Sequence, residues 1–235
     1  MKNRSIAGRS IIGIVILIIE LFRIRYVQDF GEVFRNAYWF VDFRNSNRLF
    51  QSIVLLMLPQ ILVLVLWGDY FEEMIYGNAS VLLPRMRNVG GLLRKFFIEL
   101  IGKVGITLLL FSTIISGFCV FRGISEYGKE DIVNLALYIL YMVVFLVFIN
   151  VVSAFSSSVV GTLAGLSVQT SGLIAVGCLG ECDFWQAAWI PSYVFVLLQR
   201  ENVLSQKLAE MIYLLILLGL FFVMECFIVK RKEWR

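Results

Sequence analysis

This chain of 235 residues contains no histidine and few charged residues, which make up only 16% of it. Without histidine, zinc proteases of the His-Glu-x-x-His type and Ser–His catalytic dyads are excluded. No Gly-x-x-x-x-Gly-Lys-Ser/Thr sequence occurs, so ATP is not bound through that kind of loop. We therefore expect that the chain is not an enzyme and holds no metal or cofactor of its own.

The composition indicates a membrane protein. Sixty per cent of the residues are hydrophobic, and the mean hydropathy is +0.85. Too few polar residues remain to cover a soluble domain of this size. Residues 11–19 form an uninterrupted apolar run with no alternation of period two, which argues against barrel strands and for helices. We expect one all-α transmembrane domain over residues 1–235.

Six apolar segments are long enough to cross a bilayer. The predicted transmembrane helices cover residues 5–22, 51–67, 97–121, 132–155, 159–178 and 211–229. The C-terminal sequence 230–235 is strongly basic, and basic segments favour the cytoplasmic side. Six spans therefore predict a multi-pass protein of the cell membrane with both termini in the cytoplasm.

The connections differ in length and character. Residues 156–158 are the whole link between the fourth and fifth spans, which predicts a tight antiparallel hairpin. The first outer loop, 23–48, is long enough for an interfacial helix. Segment 184–198 contains Trp185, Trp189 and Pro191, a composition that suits the membrane interface. We expect an outer re-entrant or interfacial segment there. If it spanned the membrane instead, the basic C-terminus would face outward.

The loop between the second and third spans has the most distinctive polar pattern. Carboxylates come first, then a turn glycine, an apolar cluster and a basic stripe. The members are Glu72, Glu73, Gly77, Val81, Leu82, Leu83, Arg85 and Arg87. An exposed apolar patch usually marks a contact surface. The alternative is a plain loop whose basic residues only hold the helix ends inside.

This order of residues, with Lys95 leading into the next helix, resembles the first cytoplasmic loop of ABC-2-type exporter permeases of the type V fold. The resemblance implies six helices, cytoplasmic termini, re-entrant helices between the fifth and sixth spans, and a coupling helix between the second and third. In that family the coupling helix docks in a groove of the ATPase. The chain is most similar to small bacterial permeases encoded with peptide bacteriocins, which are antimicrobial peptides.

The resemblance also implies the partners. The loop residues named above would contact a separate ABC ATPase subunit, which would hold the ATP and magnesium. A second permease copy, or a related permease, would complete a dimer in contact with membrane lipid, and no nucleic acid is involved. The implied function is export of an amphipathic substrate, a peptide in the first instance.

Several polar and small residues inside the spans have two interpretations each. Gly161 and Gly165 form a Gly-x-x-x-Gly face for close helix packing, either within the chain or against a second permease. Glu20 either serves a substrate path or pairs with a neighbouring arginine. Asn150 and Gln169 either face a substrate path or form hydrogen bonds between helices.

Two other functions fit the same composition. One is the six-helix substrate-binding membrane subunit of a vitamin importer. The other is a membrane immunity protein that does no transport and binds a toxin directly. Co-purification distinguishes the three functions: a directly bound ATPase supports the permease, a scaffold membrane subunit supports the importer, and neither partner supports the immunity protein.

Single cysteines placed in a cysteine-free background test the predicted topology. Asn3→Cys and Glu233→Cys should be shielded from a membrane-impermeant maleimide in intact cells, because both termini are expected inside. Tyr127→Cys, in the short outer turn between the third and fourth spans, should react. Labelling of Glu233→Cys in intact cells would contradict six spans and favour segment 184–198 as a true span.

Overall fold

The computed structural model describes residues 2–27, 32–33, 35–39, 41, 46–74, 89–124, 128–179, 191–200 and 203–233. Within these residues the chain forms helices and no strand. The six long helices are α1 Lys2–Ile24, α2 Ser46–Trp67, α3 Val89–Phe121, α4 Lys129–Phe155, α5 Ser158–Leu179 and α6 Leu204–Glu233. The all-α prediction is confirmed for the described residues.

Among the described residues, five helical stretches are long and apolar enough to cross a membrane. They are Gln51–Met74, Arg94–Phe121, Glu130–Ala154, Ser158–Val176 and Leu204–Met224. They correspond to the second through sixth predicted spans, so the chain is a multi-pass membrane protein. The first predicted span, 5–22, lies within α1, which is not one of these five, and the count of six spans stays a prediction.

Helix α4 is the centre of the bundle because it is apolar on every side. Its side chains are buried continuously from Tyr141 to Val147, and α2, α3, α5 and α6 all pack against it. The outer helices instead expose large apolar side chains, such as Ile106 on α3 and Ile216 on α6. An apolar outer surface around an apolar central helix is what a bilayer environment requires.

Helices α4 and α5 form the tight hairpin that the short 156–158 link predicts. Helix α4 ends at Phe155 and α5 begins at Ser158. A Cβ atom on Gly161 would lie 2.0 Å from Ser153 Oγ and 2.6 Å from the Ile149 carbonyl oxygen, and one on Gly165 would lie 2.4 Å from Ile149 Cγ1. The two glycines therefore let α5 approach α4 closely within the chain. Packing within the chain is the first of the two interpretations of this glycine face.

Part of the loop between α1 and α2 is buried in the bundle. The segment Arg35–Trp39 forms a π-helical turn, and Ala37 and Tyr38 are fully buried. The Tyr38 hydroxyl lies 2.9 Å from Ser112 Oγ of α3, and its ring packs against Phe111 and Tyr138. Tyrosine can be buried in this way because its hydroxyl has a partner. The interfacial helix expected in this loop stays a prediction.

The segment before α6 is also buried where the structure describes it. Pro191–Tyr193 forms a 3₁₀ turn, followed by the helical turn Val194–Leu197. The Phe195 ring packs edge-on against Tyr141 of α4, with ring centroids 4.9 Å apart. Trp185 and Trp189, on which the prediction of an interfacial segment depends, lie outside the described residues.

The α4–α5 contact predicts how glycine substitutions act. Gly161→Ala should destabilise the protein by about 1–3 kcal/mol, because the new methyl group would overlap Ser153 and the backbone of α4. The matched control is Gly117→Ala in α3, where a Cβ meets no atom within 4 Å and replacement should stabilise by about 0.5–1 kcal/mol. Thermal unfolding in detergent measures both changes. Equal unfolding midpoints for the two variants would contradict the close α4–α5 contact.

Candidate functional site

The described part of the predicted coupling loop is its base. Residues 69–74 end the second span and are described. The central residues of the pattern lie outside the described residues: Gly77, Val81, Leu82, Leu83, Arg85 and Arg87. The candidate site therefore consists of the contacts that hold the base of the loop. The first of these contacts lie at the break between α2 and the helical residues 70–74.

A side chain inserts into the second span where it breaks. In an unbroken helix the Phe71 N–H would donate to the Trp67 carbonyl. Here Asn150 of α4 lies between them: its Oδ1 accepts from Phe71 N at 3.0 Å, and its Nδ2 donates to Trp67 O at 3.1 Å. The same Nδ2 group donates to Leu146 O at 2.9 Å. Asn150 is fully buried and joins two helices, which is the second of its two interpretations.

Gly68 allows the turn at this break. Its N–H donates to Leu64 O at 2.8 Å, and a Cβ atom at position 68 would lie 2.6 Å from that same oxygen. A side chain could not be accommodated without moving the backbone. The helix resumes at Tyr70, and the carboxylates Glu72 and Glu73 follow within residues 70–74.

Glu72 binds the start of α5. Its Oε2 accepts from the backbone N–H of Ser158, the first residue of that helix, at 2.6 Å. The first N–H groups of a helix have no partner inside the helix and carry partial positive charge, so a carboxylate there is stabilising. A residue predicted to contact an ATPase thus makes a contact inside the chain, between the second span and α5.

The other two carboxylates bind α1. Arg9 Nη2 lies 2.5 Å from Asp69 Oδ2 and 3.2 Å from Glu73 Oε1. The Arg9 and Asp69 side chains are about three-quarters buried, whereas Glu73 is more than half exposed. We call Asp69, Glu72 and Glu73, together with Arg9 and the Ser158 N–H, the carboxylate clasp. The clasp connects the base of the loop to α1 and α5.

Aromatic and charged side chains join the same region to the middle of α3. Trp67 Nε1 donates to Thr107 Oγ1 at 3.0 Å, and the Tyr70 hydroxyl donates to Glu99 Oε2 at 2.6 Å. The Lys103 ammonium lies 4.1 Å from the centre of the Tyr70 ring. Cation–π contacts and hydrogen bonds of this kind fix the relative orientation of the side chains that pack together. Both stems of the loop are therefore held in place.

Glu20 is fully buried in α1 and pairs with Arg23. The Arg23 Nη2 atom lies 3.2 Å from Glu20 Oε2, one turn along the same helix. Arg23 also donates to the Leu55 carbonyl of α2 at 3.3 Å. Pairing with a neighbouring arginine was one of the two interpretations of Glu20, and the contact accounts for a carboxylate that would be costly alone.

Gln169 borders a cavity. The cavity has a volume of about 550 Å³ and lies between α4, α5, α6 and the Pro191–Tyr193 turn. Gln169 is 1% exposed, and its backbone carbonyl oxygen accepts a hydrogen bond from the Ser192 hydroxyl at 3.3 Å. Within the described part of the chain, neither its side-chain oxygen nor its side-chain nitrogen has a hydrogen-bond partner. Of the three predicted substrate-path residues, only Gln169 borders this cavity.

Buried polar residues that the sequence did not single out include Gln60 in α2, and Lys207 and Glu210 in α6. Each is a single polar side chain at the edge of an apolar span or inside it. An isolated polar residue in such a position is the sequence feature that could have indicated its burial. Among the described residues, the Glu210 carboxylate and the Gln60 amide have no hydrogen-bond partner. The predicted sixth span begins at residue 211, so Lys207 and Glu210 fall just outside it.

Comparison with known proteins adds no relatives. No family model, no curated protein and no solved structure matches this chain. The loop pattern, the clasp and the cavity are therefore the features of the chain that bear on its function.

The insertion of Asn150 predicts the effect of its replacement. Asn150→Leu would leave the Phe71 N–H and the Trp67 carbonyl without partners, at a cost of about 1–3 kcal/mol for each buried group. We expect a clear loss of thermal stability in detergent. Thr113→Val is the control. It removes a hydroxyl group that donates to the Leu109 carbonyl of its own helix, and it should change the free energy of unfolding by less than about 0.5 kcal/mol. Equal effects of the two substitutions would contradict the bridging role of Asn150.

Proposed function

We propose that this chain is the transmembrane permease subunit of an ABC exporter, with six spans and both termini in the cytoplasm. A separate ATPase subunit supplies the energy and holds ATP and magnesium. The chain has no catalytic role and pairs with a second copy or a related permease. The cargo is an amphipathic substrate, a peptide in the first instance.

The carboxylate clasp is the observation that supports this proposal most. A coupling loop transmits force only if its base is attached to the helices that must move. The base of this loop is attached to α1 through Arg9 and to α5 through Glu72. These contacts lie beside the residues whose pattern resembles a coupling helix.

The clasp suggests how coupling would work. When two ATPases close on ATP, their movement displaces the loops that follow Glu73. The displacement passes to α5 through the Glu72 contact with Ser158, because a helix end and a carboxylate bonded at 2.6 Å move together. It passes to α1 through the Arg9 ion pairs. The two helices then change the cavity between the paired permeases.

The aromatic and charged contacts at the other stem support the same role. Tyr70, Glu99 and Lys103 connect the end of the second span to the middle of α3. Force on the loop therefore acts on a stem that is fixed to two helices rather than on a free end. Partly exposed ion pairs such as Lys103–Glu99 contribute little to stability, so we assign them an orienting role.

Substitutions in the loop test the assignment of the ATPase partner. Leu82→Asp combined with Leu83→Asp should abolish binding to the ATPase, since a docking helix gains its affinity from a few buried apolar side chains. Arg85→Ala or Arg87→Ala should weaken the complex less and in a salt-dependent way, as expected for charges at a rim. Pull-down of the ATPase from detergent, repeated at several salt concentrations, measures all three.

The control for this experiment is Arg9→Ala. It removes the clasp contacts with Asp69 and Glu73 but leaves the loop sequence intact, so the ATPase should remain bound while ATP-driven transport falls. Wild-type association of the ATPase with the double aspartate variant would contradict the coupling assignment. It would leave the importer subunit and the immunity protein as the alternatives.

A further inference from the structure

The last residues of α1 and α3 meet at one end of the bundle, in a region that has no part in the proposed coupling. The candidate span Arg94–Phe121 ends one residue before Arg122. Arg122 therefore lies at the level where the apolar part of a membrane meets the lipid headgroups. Its Nη1 atom donates to the Val27 carbonyl at 2.9 Å and to the Ile24 carbonyl at 3.3 Å. These two bonds hold the end of α1 at the same level.

Arg25 is the second cation in this region, and its backbone lies between the two carbonyls that Arg122 binds. Its guanidinium donates to the Tyr26 hydroxyl and lies over the ring of that residue, 4.3 Å from the ring centre. A guanidinium has five N–H donors, so most donors of these two exposed arginines are left for a ligand. We call the two arginines, together with the exposed rings of Phe22, Tyr26 and Phe121, the arginine surface.

The charge of the arginine surface is not balanced by a carboxylate within the described part of the chain. Among those residues, neither Arg25 nor Arg122 forms an ion pair. The acidic residues that begin α4 have other surroundings: Asp131 accepts from the backbone N–H of Gly128 at 3.0 Å, and Glu130 borders a small cavity beside α6. Two positive charges without a counter-charge at a membrane surface attract an anion.

The aromatic rings of the arginine surface indicate which kind of anion fits it. Phe121 is 90% exposed and Phe22 is 62% exposed, so both rings need an apolar partner outside the chain. Tyr26 is also exposed, and tyrosine is enriched where a membrane meets water. A phosphate ion in solution would satisfy the arginines only. A phospholipid would satisfy the arginines with its phosphate and the rings with its acyl chains.

We propose that the arginine surface binds an anionic phospholipid, with the phosphate on Arg25 and Arg122 and the acyl chains against Phe22 and Phe121. Arginine binds phosphate through paired hydrogen bonds. Phosphatidylcholine has the same phosphate but also carries a quaternary ammonium group, which would add a third positive charge beside the two arginines. The surface therefore selects a lipid of net negative charge, such as phosphatidylglycerol. This inference does not depend on the proposed export function, because no ATPase or cargo enters it.

Local quenching by labelled lipids tests the site. Val120→Cys, in the last turn of α3 and 62% exposed, carries a bimane fluorophore in the otherwise cysteine-free full chain. Doxyl-labelled phosphatidylglycerol or doxyl-labelled phosphatidylcholine is titrated into phosphatidylcholine nanodiscs that hold this chain, and the quenching gives the relative affinity of each lipid. We expect phosphatidylglycerol to bind about tenfold more tightly, the effect of two arginines near a membrane surface. Equal affinities would overturn the proposal.

A second reporter distinguishes a site from a general attraction of anionic lipid to a basic chain. Leu208→Cys lies in the first turns of α6, near the end of another candidate span, and is 50% exposed. The same titration at this position should show no preference for phosphatidylglycerol. A tenfold preference at both reporters would overturn the location of the site.

Charge variants, measured with the Val120→Cys reporter, identify the groups that bind. Arg25→Gln combined with Arg122→Gln should remove the preference, whereas Arg25→Lys combined with Arg122→Lys keeps both charges and should retain most of it. Arg25→Gln alone leaves the bonds of Arg122 to α1 intact and should lower the preference to about threefold. A tenfold preference in either glutamine variant, or an equal loss in the lysine pair, would overturn the assignment of the arginines.

Discussion

The structure depends on how the break in the second span is satisfied. Backbone groups inside a membrane protein must find partners within the protein, because no water is present to bind them. The break at Gly68 separates the Phe71 N–H from the Trp67 carbonyl, and Asn150 binds both. Since Asn150 belongs to the central helix α4, the break is fixed to the core of the bundle. This one side chain thereby fixes the start of residues 70–74, which carry Glu72 and Glu73 of the clasp.

The buried polar groups then fall into two kinds. Asn150 and the Tyr38–Ser112 pair are matched inside the protein and hold helices together. Gln169 is unmatched among the described residues and borders a cavity. A fully satisfied polar contact stabilises one arrangement of helices, whereas a buried polar group without a partner costs stability. The same residue type inside a span can therefore have opposite effects, and its partners decide which.

The local sequence was sufficient to predict the helical class, the second through sixth spans and the α4–α5 hairpin. Helix hydrogen bonds form between residues four apart, and hydropathy is a property of each segment alone, so neither needs knowledge of distant contacts. The link 156–158 is too short for any arrangement other than a hairpin. The orientation, the first span and the permease function remain predictions that follow from charge and from the loop pattern.

Tertiary structure alone decided which polar residues meet. Asn150 binds a residue 79 positions away, and Glu72 binds one 86 positions away. Neither pairing has a periodic signature, so carboxylates that looked like a docking surface proved to be bonded within the chain. Tyr38 sits inside the bundle for the same reason: Ser112 offers its hydroxyl a partner across the fold. Hydropathy determined which segments enter the membrane, and hydrogen bonding between distant segments determined how they are joined and where a cavity remains.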